Sequence, residues 1–273
     1  MGERFALIAG GGEIPAILAR AARDKGASFV AVSLTEAAIA PLEGFAENVY
    51  SLSIGQVGKI IKTVKKEGID KVVFIGKVRK DLLFEKIRFD LRAIKLLSSL
   101  KNRNDDSIML AIVRAFSDEG IEVLDQTTYL KDMMPVEGVL TKRKPTKKEW
   151  LDIRYGMEMA KKSASLDIGQ TVVVKDLAIM AVEAIEGTDQ AIKRGGQLCK
   201  KGGAVIAKVA KPNQDPRFDV PTVGMKTLES MREAGAKVLA IEAERTLFVN
   251  MEEVIKDANA SGISIVSYQV EEN

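Results

Sequence analysis

The chain has 273 residues, 46% of them apolar and 29% charged, enough for one large domain or two ordinary ones with full cores. Its 41 basic and 38 acidic side chains leave a net charge of +3, a mixed surface and not a nucleic-acid footprint. It has no histidine and one cysteine, which excludes histidine acid–base catalysis, the Ser/His/Asp triad, His-ligated zinc and an intramolecular disulfide. Any catalytic metal must then be held mainly by oxygen, which favours Mg²⁺ or Mn²⁺. No apolar run approaches the roughly 20 residues that span a bilayer. Phe5–Ala9, ended by Gly10, is too short for a signal-peptide core, so the expected compartment is the cytosol.

Phe5–Ala9 predicts a strand and Pro15–Lys25 a helix. Ser28–Leu34 and Asn48–Leu52 are two more strand-like runs, Val57–Glu67 is a helix capped by Gly68, and Lys71–Ile75 is a strand ending at Gly76. This alternation predicts a parallel sheet with helices on both faces. A basic helix is expected over Leu82–Leu100, then a helix over Asp105–Ser117 and a strand over Ile121–Leu124. The charged, proline-bearing run Lys142–Lys148 marks a linker at 135–147. Beyond it come a helix over Lys148–Ala164, strands over Gln170–Lys175 and Ala178–Ile185, and a short helix over Thr188–Gly195. Strands at Ala204–Val209, Val238–Glu242 and Ile263–Ser267 alternate with helices at Lys226–Ala234 and Met251–Ser261. The expected architecture is two α/β domains: a Rossmann-like parallel sheet over residues 1–134 and a catalytic α/β domain over 148–273.

The glycines Gly10, Gly11 and Gly12 stand between the first strand and helix, where backbone N–H groups can meet a phosphate. Pro15 occupies the third glycine of the dinucleotide fingerprint, so phosphate contact, a structural turn and NAD binding all stay open. Gly76-Lys77-Val78-Arg79-Lys80-Asp81 follows a strand end, where Lys77 or Arg79 could neutralise phosphate or simply be solvated. Asn104-Asp105-Asp106 suits a helix cap as well as a metal site. Cys199 has no histidine to activate it and reads as incidental. The basic stretch Leu82–Arg103 is an ordinary amphipathic helix or a contact for an anionic membrane surface.

Two later segments carry the most chemistry. Glu183-Ala184-Ile185-Glu186-Gly187-Thr188-Asp189 sets acids and a hydroxyl where a strand turns into a helix. There Thr188 could hold phosphate with Asp189 beside a metal or sugar, or Thr188 could only cap the helix. Lys211–Gly224, on the next strand, carries Lys211, Gln214, Asp215, Arg217, Asp219 and Thr222 among three prolines. Those prolines forbid a helix or a central strand and predict a rigid loop. In it Lys211 and Arg217 would bind phosphate oxygens and Asp219 would hold a metal or position water, unless the charges merely pair with one another.

Together these segments resemble the Mg²⁺-dependent UDP-2,3-diacylglucosamine pyrophosphatase family of lipid A synthesis, the type with no metallophosphoesterase signature. The carriers are Ile8–Gly12 with Pro15, Gly76–Val78, Asp105-Asp106, Asp167–Gln170, Val182–Asp189, and Lys211-Pro212 through Gly224. Arg79 stands where the family often has lysine and Asn104 where it often has glycine. The resemblance implies hydrolysis of UDP-2,3-diacylglucosamine to UMP and 2,3-diacylglucosamine 1-phosphate, with the nucleotide-linked lipid between two domains. It implies Asp219 as the essential aspartate. Lys211, Arg217 and Gln214 are the other expected catalytic residues. Gly10–Gly12, Lys77, Thr188, Asp189 and Thr222 are expected at the substrate, and Asp219, Asp215 and Glu186 at Mg²⁺ or Mn²⁺. No nucleic acid is expected as partner, whereas a peripheral seat at the inner membrane and a homodimer are compatible with the reading. Two rivals stay open, a nicotinamide-dependent oxidoreductase and a non-catalytic nucleotide-sensing module.

Overall fold

Buried apolar runs alternating with amphipathic helices build two sheets in the computed structural model, which describes residues 3–77, 89–100 and 105–270. The chain divides into two units. Unit one holds the residues up to Leu130 together with Pro216–Phe218, and unit two holds Lys131–Asp215 and the residues from Asp219 onward.

Unit one is built on five parallel strands, β1 (Arg4–Ala9), β2 (Ser28–Ser33), β3 (Val49–Ser51), β4 (Lys71–Ile75) and β5 (Glu122–Val123). Their order is β3-β2-β1-β4-β5. The central strand β1 is buried from Phe5 to Ala9, because helices cover both faces of a parallel sheet. The helices are α1 (Ile14–Asp24), α2 (Ile39–Glu43), α3 (Val57–Lys66), α4 (Leu91–Ser99) and α5 (Asp105–Ser117). Helix α3 buries Val57, Ile60, Ile61 and Val64, the helical repeat visible in the sequence. Gly68, at φ 67°, ends it while its N–H bonds Lys65 O and the Ile69 N–H bonds Val64 O. The single basic helix expected over 82–100 does not run through: Asp90 is extended and its carboxylate accepts the Ala93 N–H at 2.9 Å, so α4 starts afresh at Leu91. Residues 82–88 of that stretch lie outside the described residues.

Unit two carries a six-stranded mixed sheet. Its strands are β6 (Gly138–Val139), β7 (Thr171–Lys175), β8 (Ala178–Val182), β9 (Val205–Lys208), β11 (Val238–Glu242) and β13 (Ser264–Tyr268). A separate two-residue pair is β10 (Thr222–Val223) with β12 (Leu247–Phe248). The order is β6-β13-β11-β9-β7-β8, with β9, β11 and β13 parallel and β6, β7 and β8 each antiparallel to a neighbour. Helices α6 (Lys147–Ser165), α7 (Thr188–Leu198), α8 (Met225–Glu233) and α9 (Met251–Ala260) cover it. Thr146 and Glu149 close a reciprocal capping box at the start of α6. Ile153, Met157 and Ala160 of α6 pack on Val172, Val174, Val205 and Ala207. On the other face Val173, Ile206 and Leu239 pack with Ile192, Leu228 and Met231.

The division between units falls after Leu130, and within 135–147 the strand β6 pairs with Val266 and Ser267 inside unit two. A two-residue strand is too short to show a period. The Glu183–Asp189 turn and the Lys211 loop also do not leave adjacent strands. The hairpin β7–β8 folds back, so β7 lies between β8 and β9. Among the described residues no helix is long and apolar enough to cross a membrane.

Candidate active site

The Lys211 loop leaves the C-terminal end of β9, where the open edge of parallel strands leaves room for a ligand. It is built from local turns. The Lys211 N–H donates to Gln214 Oε1 at 2.6 Å, the Gln214 N–H returns to Lys211 O at 3.2 Å, and the Asp219 N–H reaches Asp215 O at 3.2 Å. The Lys211 ammonium lies 2.8 Å from Asp167 Oδ1 and 3.4 Å from Asp219 Oδ2. Asp167 is delivered by the end of α6, where a backbone φ of 57° turns the chain toward β7. One ammonium thus holds two carboxylates that are 52 residues apart in the chain, and the pair faces solvent with 55% and 35% exposure.

Gln214 has a second feature. Its Nε2 is a buried donor with no hydrogen-bond partner among the described residues. Leaving such a donor unmet costs on the order of 1–3 kcal/mol, which an acceptor such as a phosphoryl oxygen would recover. Two buried acceptors in the same unit are also unmet among the described residues, Gln170 Oε1 and Glu183 Oε2.

Those two acceptors belong to segments that meet backbone to backbone. A Cβ at Gly169 would lie 2.0 Å from Glu183 O, so only glycine allows the approach. From there the Glu183 carboxylate accepts the Thr188 hydroxyl at 2.9 Å, and Thr188 accepts from Lys208 Nζ at 2.7 Å. Lys208 is a lysine with 8% exposure at the end of β9. Sequence reasoning missed it, because a lysine closing an apolar run looks like any solvated strand end. Asp167 was likewise visible only as part of a motif, with no role attached.

The remaining expected residues divide. Lys211, Gln214 and Asp219 come together. Thr188 and Asp189 open α7, and Thr222, in β10, donates its hydroxyl to Val220 O at 3.2 Å. Arg217 lies in Pro216–Phe218, the stretch that belongs to unit one. There the Gln126 N–H donates to Pro216 O at 2.9 Å and Phe218 packs on the unit-one core.

Glu186 is engaged locally. Arg194, two turns into α7, binds its carboxylate and holds its pKa below the usual glutamate range; the Ala184 N–H adds a 3.2 Å bond. Glu186 therefore serves its own turn. Among the described residues no three potential ligands converge. The donor set that does converge, Asp219 with Asp167, still suits Mg²⁺, which commonly takes one or two carboxylates and leaves its other positions to water and phosphate.

The glycine turn spends most of its donors locally. The Gly10 N–H donates to Ile75 O and the Gly11 N–H to Lys77 O, each at 2.8 Å, while the Lys77 N–H returns to Gly11 O at 2.8 Å. Two of the three N–H groups expected at a phosphate are spent inside the fold. A Cβ at Gly10 would stand 2.7 Å from Lys77 O, so this glycine permits the close passage of β1's end beside β4's end. The turn does sit where strand order reverses, between β1 and β4, and brings Gly12 and the exposed Lys77 to one place. Val78–Asp81 and Asn104 lie outside the described residues, and Asp106 stands in the first turn of α5. Cys199 is buried, which pushes its thiol pKa up and leaves it inert.

Comparison with known proteins bears on the whole chain. The model of the LpxI N-terminal domain matches residues 4–133 and that of the LpxI C-terminal domain residues 136–266. The UDP-2,3-diacylglucosamine pyrophosphatase LpxI of Caulobacter vibrioides is 34% identical over 281 residues, covering 99% of both chains. Solved structures give only partial likenesses. A UDP-glucose-4-epimerase from Stenotrophomonas maltophila matches at TM-score 0.29 and 16% identity over 43% of this chain and 34% of its own. The biotin carboxylase subunit of a pyruvate carboxylase matches at 0.28 and 15% over 67% of this chain and 36% of its own. The chain spans about a third of the length of those two structures, which carry no argument about it. Since the two domain models account for both units in order and the curated relative aligns from end to end, the chain belongs to the LpxI family.

Proposed function

We propose that the protein hydrolyses the pyrophosphate bond of UDP-2,3-diacylglucosamine, giving UMP and 2,3-diacylglucosamine 1-phosphate for lipid A synthesis. The carrying observation is the Lys211 ammonium held between Asp167 and Asp219 beside the unmet donor of Gln214. Membership of the LpxI family supports the substrate.

In this reading the oxygen of a water molecule joins one phosphorus, the bridging P–O bond breaks, and the departing phosphate keeps the bridging oxygen. Asp219 takes the proton of that water. With no histidine in the chain, a carboxylate is the available base. Lys211 and Gln214 Nε2 bind phosphoryl oxygens whose charge grows as the bond breaks. Thr188, tied to Glu183 and Lys208, opens the helix that carries Asp189 on its first turn. Asp219 and Asp167 are the residues that would hold Mg²⁺ or Mn²⁺, which when bound supplies charge neutralisation for the pyrophosphate.

Purified protein given UDP-2,3-diacylglucosamine and Mg²⁺ should release UMP and the sugar 1-phosphate in equal amounts, followed by ³¹P NMR. Intact substrate after incubation with stoichiometric enzyme would refute the proposal.

A further inference from the structure

Glu242 is the last residue of β11 and only 3% exposed. Its Oε2 accepts the Ala210 N–H at 2.7 Å, its Oε1 meets Lys161 Nζ at 2.7 Å, and Arg245 Nε stands 3.7 Å from the same Oε1. Both cations reach onward to the chain that Glu242 binds. Lys161 Nζ donates to Ala210 O at 3.0 Å, and Arg245 Nη2 donates to Lys211 O at 3.3 Å. The ladder of β9 with β11 ends at Lys208, opposite Ile241. Beyond it the Val209 N–H still donates to Gln170 O; from Ala210 onward side chains hold the backbone, and the Lys211 N–H is closed by Gln214.

Two charged side chains and a buried carboxylate are an expensive way to hold a loop. Apolar residues of similar volume would commonly pack as well or better, so such a group is better explained by placement than by stability. It fixes Ala210 and Lys211 at N–H and C=O, so the lysine stem starts from a held backbone and its ammonium is brought between Asp167 and Asp219. Displacing a charge of this kind by about 1 Å costs on the order of 100-fold in rate.

We infer that Glu242, with Lys161 and Arg245, is the positioning residue that sets Lys211. This rests on the role given to Lys211 in the proposed function. The test is a cycle between Glu242→Gln and Lys211→Ala, assayed on UDP-2,3-diacylglucosamine at a temperature where circular dichroism shows every variant folded. Glu242→Gln should lower kcat by about 10- to 100-fold, and in the Lys211→Ala background it should cost less than about 3-fold more. Arg245→Ala, at a more exposed position, guards against misfolding of the first variant and should show a smaller loss that also vanishes without Lys211. Hydrogen exchange gives a readout free of catalysis: the Ala210 and Lys211 amides should exchange about 10-fold faster in Glu242→Gln. Equal fold-losses with and without Lys211, or unchanged exchange at those amides, would overturn the inference. A Lys211→Ala enzyme with wild-type turnover would sink the site assignment itself. A wild-type enzyme inert on this substrate would sink the proposed function, and exchange at Ala210 would then decide Glu242 by itself.

Discussion

The glycine turn of unit one and the Lys211 loop of unit two both follow a central strand, and they use their polar groups in opposite ways. In the first, backbone N–H groups are consumed by neighbouring carbonyls, and glycine serves close passage of two strand ends. In the second, side chains close the backbone, while charged groups face solvent and a buried amide donor is left unmet. The glycine-rich sequence, which looks like the phosphate site, has spent most of its donors. The proline-rich loop closes its backbone too, but leaves one buried side-chain donor, Gln214 Nε2, unmet among the described residues.

The largest effect should come from Asp219→Ala, with UMP release falling about 1,000-fold or more while a calorimetric melting point stays near wild type. Retained turnover would move the chemistry away from this loop. Lys211→Ala should cost about 100-fold, mostly in kcat, through lost charge stabilisation. Gly10→Ala tests the other side of the comparison. Its new Cβ meets Lys77 O, so urea unfolding should show a loss of about 2–3 kcal/mol, with turnover of the folded enzyme within about 3-fold of normal. A large loss of turnover without destabilisation would mean that the glycine turn is a substrate site after all. Glu186→Gln should change kcat by less than about 3-fold, since Arg194 already occupies its carboxylate.

The smallest effect lies in acid stability. Hydrogen bonds from Lys65 and then Arg92 lower the Glu119 pKa to about 2, below the roughly 4.3 of an unfolded glutamate. The contribution is complete above the unfolded value and is lost as pH falls toward about 2. Melting points between pH 5 and 2 should fall, and Glu119→Gln should flatten that slope slightly.

Long periodic elements were legible in the sequence. Strands β4 and β11 and helix α5 begin and end where their patterns do. The two-residue strands β6, β10 and β12 were not, because nothing so short carries a period. Asp90 hid a helix start inside a run that reads as continuous. In the site, charge concentration among prolines pointed to Lys211, Gln214 and Asp219, and the structure gathers those three. What the sequence could not reveal depends on long-range pairing. Asp167 meets Lys211 across 44 positions, and Glu242 reaches Ala210 from the next strand of the sheet. Glu186 pairs with Arg194, two turns into the following helix, which a reading of the acids alone does not show.

Pro216–Phe218 belongs to a unit whose other residues end at Leu130. During synthesis the ribosome must therefore make residues 131–218 before the first core can receive Phe218. At roughly 5–20 residues per second, that is a wait of several seconds. A gene cut after codon 130 would encode unit one without Pro216–Phe218.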